Sequence, residues 1–193
     1  DTQGSELPIL RGGVRVLQRV LGVETEVAHL PVYEGAPLFP EVDEFMRSQG
    51  FRIYDLANYY WKRSVPGVHS DSSLGELAFS EMLYFRPPEA ILESVACGVL
   101  ALETAVKCYL AYGYTHLSQV LVASARSEGL VDQRTQQNLG HLIRRFKKSK
   151  MLSRFPGAHR FRNRVSYLTE RLFPRFGWAS KSKADVGSRY GTR

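Results

Sequence analysis

The chain has 193 residues, 44% of them apolar, with 26 Lys+Arg against 19 Asp+Glu for a formal net charge of +7. That apolar share supports a packed core and excludes a disordered chain, and the composition also excludes collagen, coiled-coil and disulfide-scaffold classes. The charge is uneven: residues 1–86 hold 8 basic and 12 acidic residues (net −4), residues 87–193 hold 18 and 7 (net +11), and residues 141–193 alone hold 15 and 2 (net +13).

The sequence opens on Asp1, with no initiator Met, no basic-then-apolar leader and no cleavage site, and reads as a fragment or a trimmed chain. Ser5 is placed as a helix N-cap, with Glu6 in the first turn where the helix dipole favours a carboxylate. The helical pattern runs through Leu7, Ile9 and Leu10 to Gly12-Gly13 and resumes at Val14, Leu17 and Val20-Leu21. Val23, Thr25 and Val27 alternate at period two, which predicts a strand over residues 22–30. A loop from Pro31 to Pro37 holds Tyr33-Glu34-Gly35. Leu38, Val42, Phe45 and Met46 form an amphipathic helical stripe that stops at Gly50. Residues 51–61 and 77–85 are aromatic or β-branched and predict two strands, separated by a turn-rich loop over residues 63–75. The last two strands, joined without a helix, are expected to pair antiparallel.

After Pro87-Pro88 the period is helical. Residues 89–112 are expected to form one long, mostly buried helix, with Glu103 and Lys107 paired at i, i+4. Glu93, Glu103 and Lys107 each cost about 2.5–3.5 kcal/mol at mid-bilayer, so no transmembrane segment is expected there. Cys97 and Cys108 are the only cysteines. On one helix they lie about 16 Å apart, beyond the roughly 7 Å a disulfide spans. Two buried thiols in a reducing, cytoplasmic compartment are expected. Thr115 is placed as the cap of a second helix closed by Gly129. Asp132 is placed as the cap of a third, with the stripe Leu139, Leu142, Ile143 and Phe146. A fourth follows Phe155-Pro156-Gly157, and a basic tail from Pro174 is expected to be disordered. The domains are therefore read as residues 1–86, α/β and acidic; 87–173, helical and basic; and the tail 174–193.

Four stretches carry a family resemblance: Asp1-Thr2-Gln3-Gly4-Ser5-Glu6 with Ile9-Leu10-Arg11-Gly12; Pro31-Val32-Tyr33-Glu34-Gly35-Ala36-Pro37-Leu38-Phe39; Gly50-Phe51-Arg52-Ile53-Tyr54-Asp55-Leu56; and Glu81-Met82-Leu83-Tyr84-Phe85-Arg86. In order and spacing they resemble the C-terminal half of the FkbM-type methyltransferases. The resemblance implies an S-adenosylmethionine-dependent enzyme that methylates hydroxyl groups of sugars or secondary metabolites. The implied fold class is α/β: the C-terminal half of a class I, Rossmann-like methyltransferase sheet whose last strand runs antiparallel, followed here by an all-α basic extension. On that fold the segment Asp1 to Glu6 leaves the carboxyl end of a strand, where open α/β sheets bind ligands.

Methyl transfer from a sulfonium is an in-line displacement, in which the protein chiefly aligns donor and acceptor. A hydroxyl acceptor also gains from a group that takes or orients its proton. Asp1 is the candidate catalytic carboxylate, the alternative being a turn or capping role. Gln3 is a candidate contact to donor or acceptor, or else a solvent-facing amide. Glu6 is a candidate acceptor contact, or the dipole partner of its own helix. Tyr33 and Glu34 are candidates for the acceptor pocket, or a packed loop tyrosine and a solvated carboxylate. His29 and His69 lie near these segments as candidate bases, though a histidine without a fixed partner is more often structural. No metal-ligand spacing is present, so no metal site is expected.

The Gly-rich turn and the ribose-binding acidic residue of a class I donor site are not found in the sequence. These 193 residues alone are therefore expected neither to bind the donor nor to catalyse transfer. Arg144, Arg145, Lys147, Lys148 and Lys150, then Arg160, Arg162, Arg164 and Arg171, suit an anionic partner: a membrane surface, a glycan precursor or nucleic acid. The bland alternative is a solvated face packed on the acidic α/β part. No signature of sequence-specific nucleic-acid reading is present. The main expectation is thus part of an O-methyltransferase; the alternative is a non-catalytic basic module that docks on an anion.

Overall fold

The computed structural model describes residues 2–63, 66, 75–98, 100–152 and 184–185. The chain forms two compact units, residues 1–86 with 177–193 and residues 87–176. The architecture is mixed α/β, with a small antiparallel sheet in the first unit and helices in both.

In the first unit, α1 (Glu6–Gly12) and α2 (Val14–Leu17) precede β1 (Gly22–Ala28). Ser5 stands at the N-cap position of α1, but its side chain makes no capping bond. The two short helices part at Gly13, whose N–H returns to the carbonyls of Ile9 and Leu10. Helix α3 (Phe39–Ser48) starts where the Glu41 carboxylate accepts the Leu38 N–H at 2.9 Å. It ends at Gly50, which takes φ +83°. The N–H groups of Gly50 and Phe51 then bond back to Arg47 and Met46, so the last carbonyls of α3 are satisfied.

Strands β2 (Arg52–Trp61) and β3 (Glu76–Phe85) pair antiparallel, as their loop connection predicts. Strand β1 pairs antiparallel with the other side of β3, giving the order β1-β3-β2. Since both neighbours oppose β3, β1 and β2 run parallel to each other, joined through α3. Of the tail expected to be disordered, Ala184–Asp185 is described, and it forms a two-residue strand, β4, parallel to Tyr59 and Tyr60. The rest of the tail and most of the 63–75 loop lie outside the described residues.

Leu7, Leu17, Val27, Val42, Met46, Phe51, Met82 and Tyr84 form one buried cluster, so α1, α2 and α3 cover one face of the sheet. Each such large apolar side chain contributes about 1.5–3 kcal/mol. On the other face, Phe79 stacks on Tyr59 at 4.8 Å and meets Trp61 edge-on at 6.3 Å. Arg86 ties the end of β3 to the end of α2. Its guanidinium donates to the carbonyls of Leu17 (2.9 Å) and Val20 (3.2 Å) and lies 4.5 Å from the centre of the Phe51 ring. Burial pulls its pKa down from the ordinary arginine value.

The second unit contains α4 (Pro88–Ala96), α5 (Leu102–Ala111), α6 (Thr115–Ser127) and α7 (Gln133–Leu152). The single helix expected over residues 89–112 is two helices. Gly98 adopts φ +71° after α4, and Ala101 is extended before α5. The apolar periodicity is the same on both sides of this break, which hides it from a pattern reading. The expectation of two buried thiols fails with it. Cys97 is exposed at the end of α4 and Cys108 is half-buried on α5; both are free. Burial raises the Cys108 thiol above its ordinary pKa. Thr115 is the first residue of α6 rather than its cap, a position held by Tyr114. Asp132 does cap α7, accepting the Thr135 N–H at 2.7 Å, and hydrogen bonding from Thr135, its side chain first and its backbone second, lowers the Asp132 pKa. Leu139 and Ile143 are buried from α7. Glu103 and Lys107 form the expected i, i+4 pair at 2.6 Å. The expected fourth helix lies outside the described residues. Among the described residues, no helix is long and apolar enough to cross a membrane.

Candidate functional site

The described candidate residues of the first unit lie on the turn before α1 and on the segment that follows β1. That turn is built by backbone geometry. Gln3 takes φ +48° and Gly4 φ +92°, and the Ser5 N–H closes on the Thr2 carbonyl at 3.2 Å. The Glu6 carboxylate accepts the Thr2 hydroxyl at 2.7 Å and the Gly4 N–H at 3.3 Å. Glu6 thus holds its own turn together, while Gln3 is exposed. A Cβ on Gly4 would sit 2.8 Å from Ala36 Cβ and 3.1 Å from Tyr33 Cδ2. Only a glycine permits this approach, both for φ and for space. The Gly4 turn and the Tyr33–Ala36 loop, about thirty residues apart in sequence, therefore lie against each other. Tyr33 is 44% exposed and Glu34 is exposed beside it.

His29 follows β1 directly, and its N–H bonds to the Ala78 carbonyl at 2.8 Å. Its Nε2 lies 2.8 Å from Ser80 Oγ. Ser80 is 1% exposed and donates to Asn58 Oδ1 at 2.7 Å. The Asn58 amide donates in turn to the Tyr60 hydroxyl at 3.4 Å. Ser80 Oγ thus stands between His29 Nε2, just past β1, and the Asn58 amide on β2. The ring leans on Phe39 with centroids 5.3 Å apart. Burial lowers the His29 pKa below the ordinary imidazole value.

Sequence reasoning singled out His29 but not its partners. Ser80 and Asn58 sit within apolar strands and reach His29 only through the β1-β3-β2 register. The available signal was the position of Ser80, which shares strand parity with the buried Ala78, Met82 and Tyr84. Nearby, Glu26 is held above the ordinary carboxylate range by burial first, then by the charges of Glu6 and Glu81. Asp1 and His69 lie outside the described residues. Among the described residues, no group of three or more His, Cys, Asp or Glu is arranged to hold a metal ion.

The donor implied by the resemblance needs a glycine cradle against its charged and ribose groups. The described glycines do not form one. Gly4 is packed against Ala36 and Tyr33, Gly35 faces open space, and Gly22 is filled by Phe85. The described residues therefore show no cradle that fits S-adenosylmethionine. In the second unit, Arg144, Arg145 and Lys147 are exposed on α7, and Lys147 donates to Gln119 on α6 at 3.0 Å. The side chains of Lys148 and Lys150, and residues 160–171, lie outside the described residues.

Comparison with known families gives one result. Residues 1–53 match the family model described as the Methyltransferase FkbM domain, which is a partial segment of that domain. The resemblance read from the sequence is borne out over this stretch, which contains the Gly4 turn, His29, the Tyr33–Ala36 loop and α3. No curated protein and no solved structure matches the chain significantly.

Proposed function

We propose that the chain supplies the acceptor side of an S-adenosylmethionine-dependent O-methyltransferase that acts in the cytoplasm on a hydroxyl of a saccharide or secondary metabolite. The observation that carries this reading is the FkbM match over residues 1–53. Within it, the close packing of Gly4 on Tyr33 and Ala36 sets two of the family-like stretches side by side. The class I sheet is supported by β1 and β2 running parallel through α3, with β3 inserted antiparallel between them.

In this reading Tyr33 and Glu34 border the acceptor, Gln3 offers a side-chain amide and Asp1 orients the reacting hydroxyl. The sulfonium donor supplies an electrophilic methyl group; its cradle is not among the described glycines. The test is twofold. Calorimetric titration of this 193-residue chain with S-adenosylmethionine is expected to show no micromolar binding. The full-length gene product is expected to convert saccharide or polyhydroxylated acceptors to methyl ethers. Micromolar donor binding by the chain alone overturns the assignment to the acceptor side.

A second reading rests on exposed Arg144, Arg145 and Lys147, which suit docking on an anionic surface. Binding of this kind weakens steeply between low and moderate salt. Retention on anionic vesicles or a polyanion that ignores salt would remove it.

A further inference from the structure

We propose that α7 docks in the major groove of duplex DNA, with Arg134, Arg144 and Arg145 on the phosphate backbone and no base preference. The proposal rests on the anionic-docking reading of α7 above and goes beyond it by naming the anion. Its basis is the surface that the fold leaves to this helix. In the second unit α5, α6 and α7 pack on one another. Leu139 and Ile143 are buried from α7, as Val106 and Tyr109 are from α5 and Leu121 and Ala125 from α6. The apolar stripe of α7 is thus used inside its own unit. Exposed on the helix are Arg134, Gln137, Asn138, His141, Arg144 and Arg145. Each of these side chains offers a hydrogen-bond donor, and residues 133–152 contain no Asp or Glu. Arg134, Asn138, His141 and Arg145 recur at i, i+4, i+7 and i+11, which sets them in one stripe about 16 Å long with Arg144 beside it. Among the described residues none of the three arginines is ion-paired. Of the carboxylates just before the helix, Asp132 is committed to its cap.

An acid-free face of guanidinium, imidazole and amide groups complements a row of phosphates. The shape and chemistry of α7 then select among anions. A helix on a membrane surface buries an apolar face among the lipids, and that face of α7 is already covered. A sugar phosphate is too short to meet Arg134 and Arg145, about 16 Å apart along the axis. Single strands are held by aromatic rings on which bases stack, and the exposed described residues of α7 include no Phe, Tyr or Trp. The major groove of duplex RNA is too deep and narrow for side chains to read. That of B-form DNA, about 12 Å wide, admits an α-helix about 10–12 Å across. The connection suits such docking. α6 reaches α7 through residues 128–132, with Gly129 at φ +70°. This is the order of a helix-turn-helix, in which a first helix supports a second that enters the groove.

The contacts assigned are to phosphates, which position a protein on a duplex without reading its sequence. Each phosphate neutralised by an arginine releases counterions, so the logarithm of the binding constant falls with the logarithm of salt by about 0.9 per contact. Lys147 is held by Gln119 at 3.0 Å and is not counted among these contacts.

The experiment titrates the 193-residue chain against a short fluorescent DNA duplex of mixed sequence, between about 50 and 200 mM salt. Single-stranded DNA, duplex RNA and anionic phosphatidylserine vesicles are the comparison probes. The wild type is expected to bind the duplex most tightly, whatever its sequence. Combining Arg134→Gln, Arg144→Gln and Arg145→Gln is expected to weaken binding about tenfold or more and to make the salt slope shallower by about 2.7. Glutamine keeps the helix propensity of arginine, and circular dichroism is expected to show unchanged helicity. Should the triple variant fail to fold, each single substitution decides by its own slope change of about 0.9. Residues 160–164 lie outside the described residues, so Arg160→Gln, Arg162→Gln and Arg164→Gln together serve as the control. A loss confined to that control overturns the placement on α7. Tighter binding to single strands, duplex RNA or vesicles overturns the choice of DNA and leaves the anionic-docking reading standing. Binding to none of the probes removes both.

Discussion

The α/β unit and the helical unit are held by interactions of different reach. In the first, the defining contacts join residues far apart in sequence: Arg86 to Leu17 and Val20, His29 to Ser80 and Asn58, Gly4 to Ala36. In the second, the polar contacts are mostly local: Glu103 to Lys107, Asp132 to Thr135, Ser94 to Ala90. The difference follows from the elements. A sheet brings distant strands to one edge through its register, whereas a helix satisfies its backbone within four residues and needs only an apolar face toward its neighbours. A site assembled from several segments is therefore found in the first unit. The second presents exposed basic side chains on α7 instead.

This contrast breaks most visibly at Gly4. Gly4→Ala places a Cβ 2.8 Å from Ala36 at φ +92°, so backbone strain and overlap add. A loss of about 2–4 kcal/mol is expected in urea unfolding of the first unit. Next comes Arg86→Met, which keeps much of the apolar stem but leaves the Leu17 and Val20 carbonyls without this donor. A loss of about 1–3 kcal/mol is expected by the same measurement. The smallest effect belongs to the local contact. Lys107→Ala removes a pair whose side chains are 61% and 62% exposed, worth about 0.3–0.5 kcal/mol at low salt and less at high salt. A large effect there, or a small one at Gly4, would invert the comparison.

The same contrast explains what was legible. Local signals were: Gly50 ends α3, Asp132 caps α7, and Pro87 and Pro88 stand at the N-cap and first position of α4. Val23, Thr25 and Val27 gave β1 by alternation, and the joining loop gave the antiparallel pairing of β2 with β3. The break at Gly98 was missed because apolar spacing continues across it, and the exposure of Cys97 was missed with it. Of the site, Gly4 lies in the first family-like stretch, and its φ and its packing explain why a glycine stands there. The relay behind His29 was not legible. Ser80 lies 51 residues away, and only the position of β3 between β1 and β2 makes the two neighbours.

The most direct test of the account is the chemical form of the transferred methyl group. The full-length gene product is incubated with S-adenosylmethionine carrying a carbon-13 methyl and with saccharide or polyhydroxylated acceptors, and the labelled product is read by NMR and mass spectrometry. The account predicts a labelled methyl ether on a hydroxyl oxygen. Label on nitrogen, sulfur or carbon, or no transfer to any hydroxyl acceptor, would contradict it.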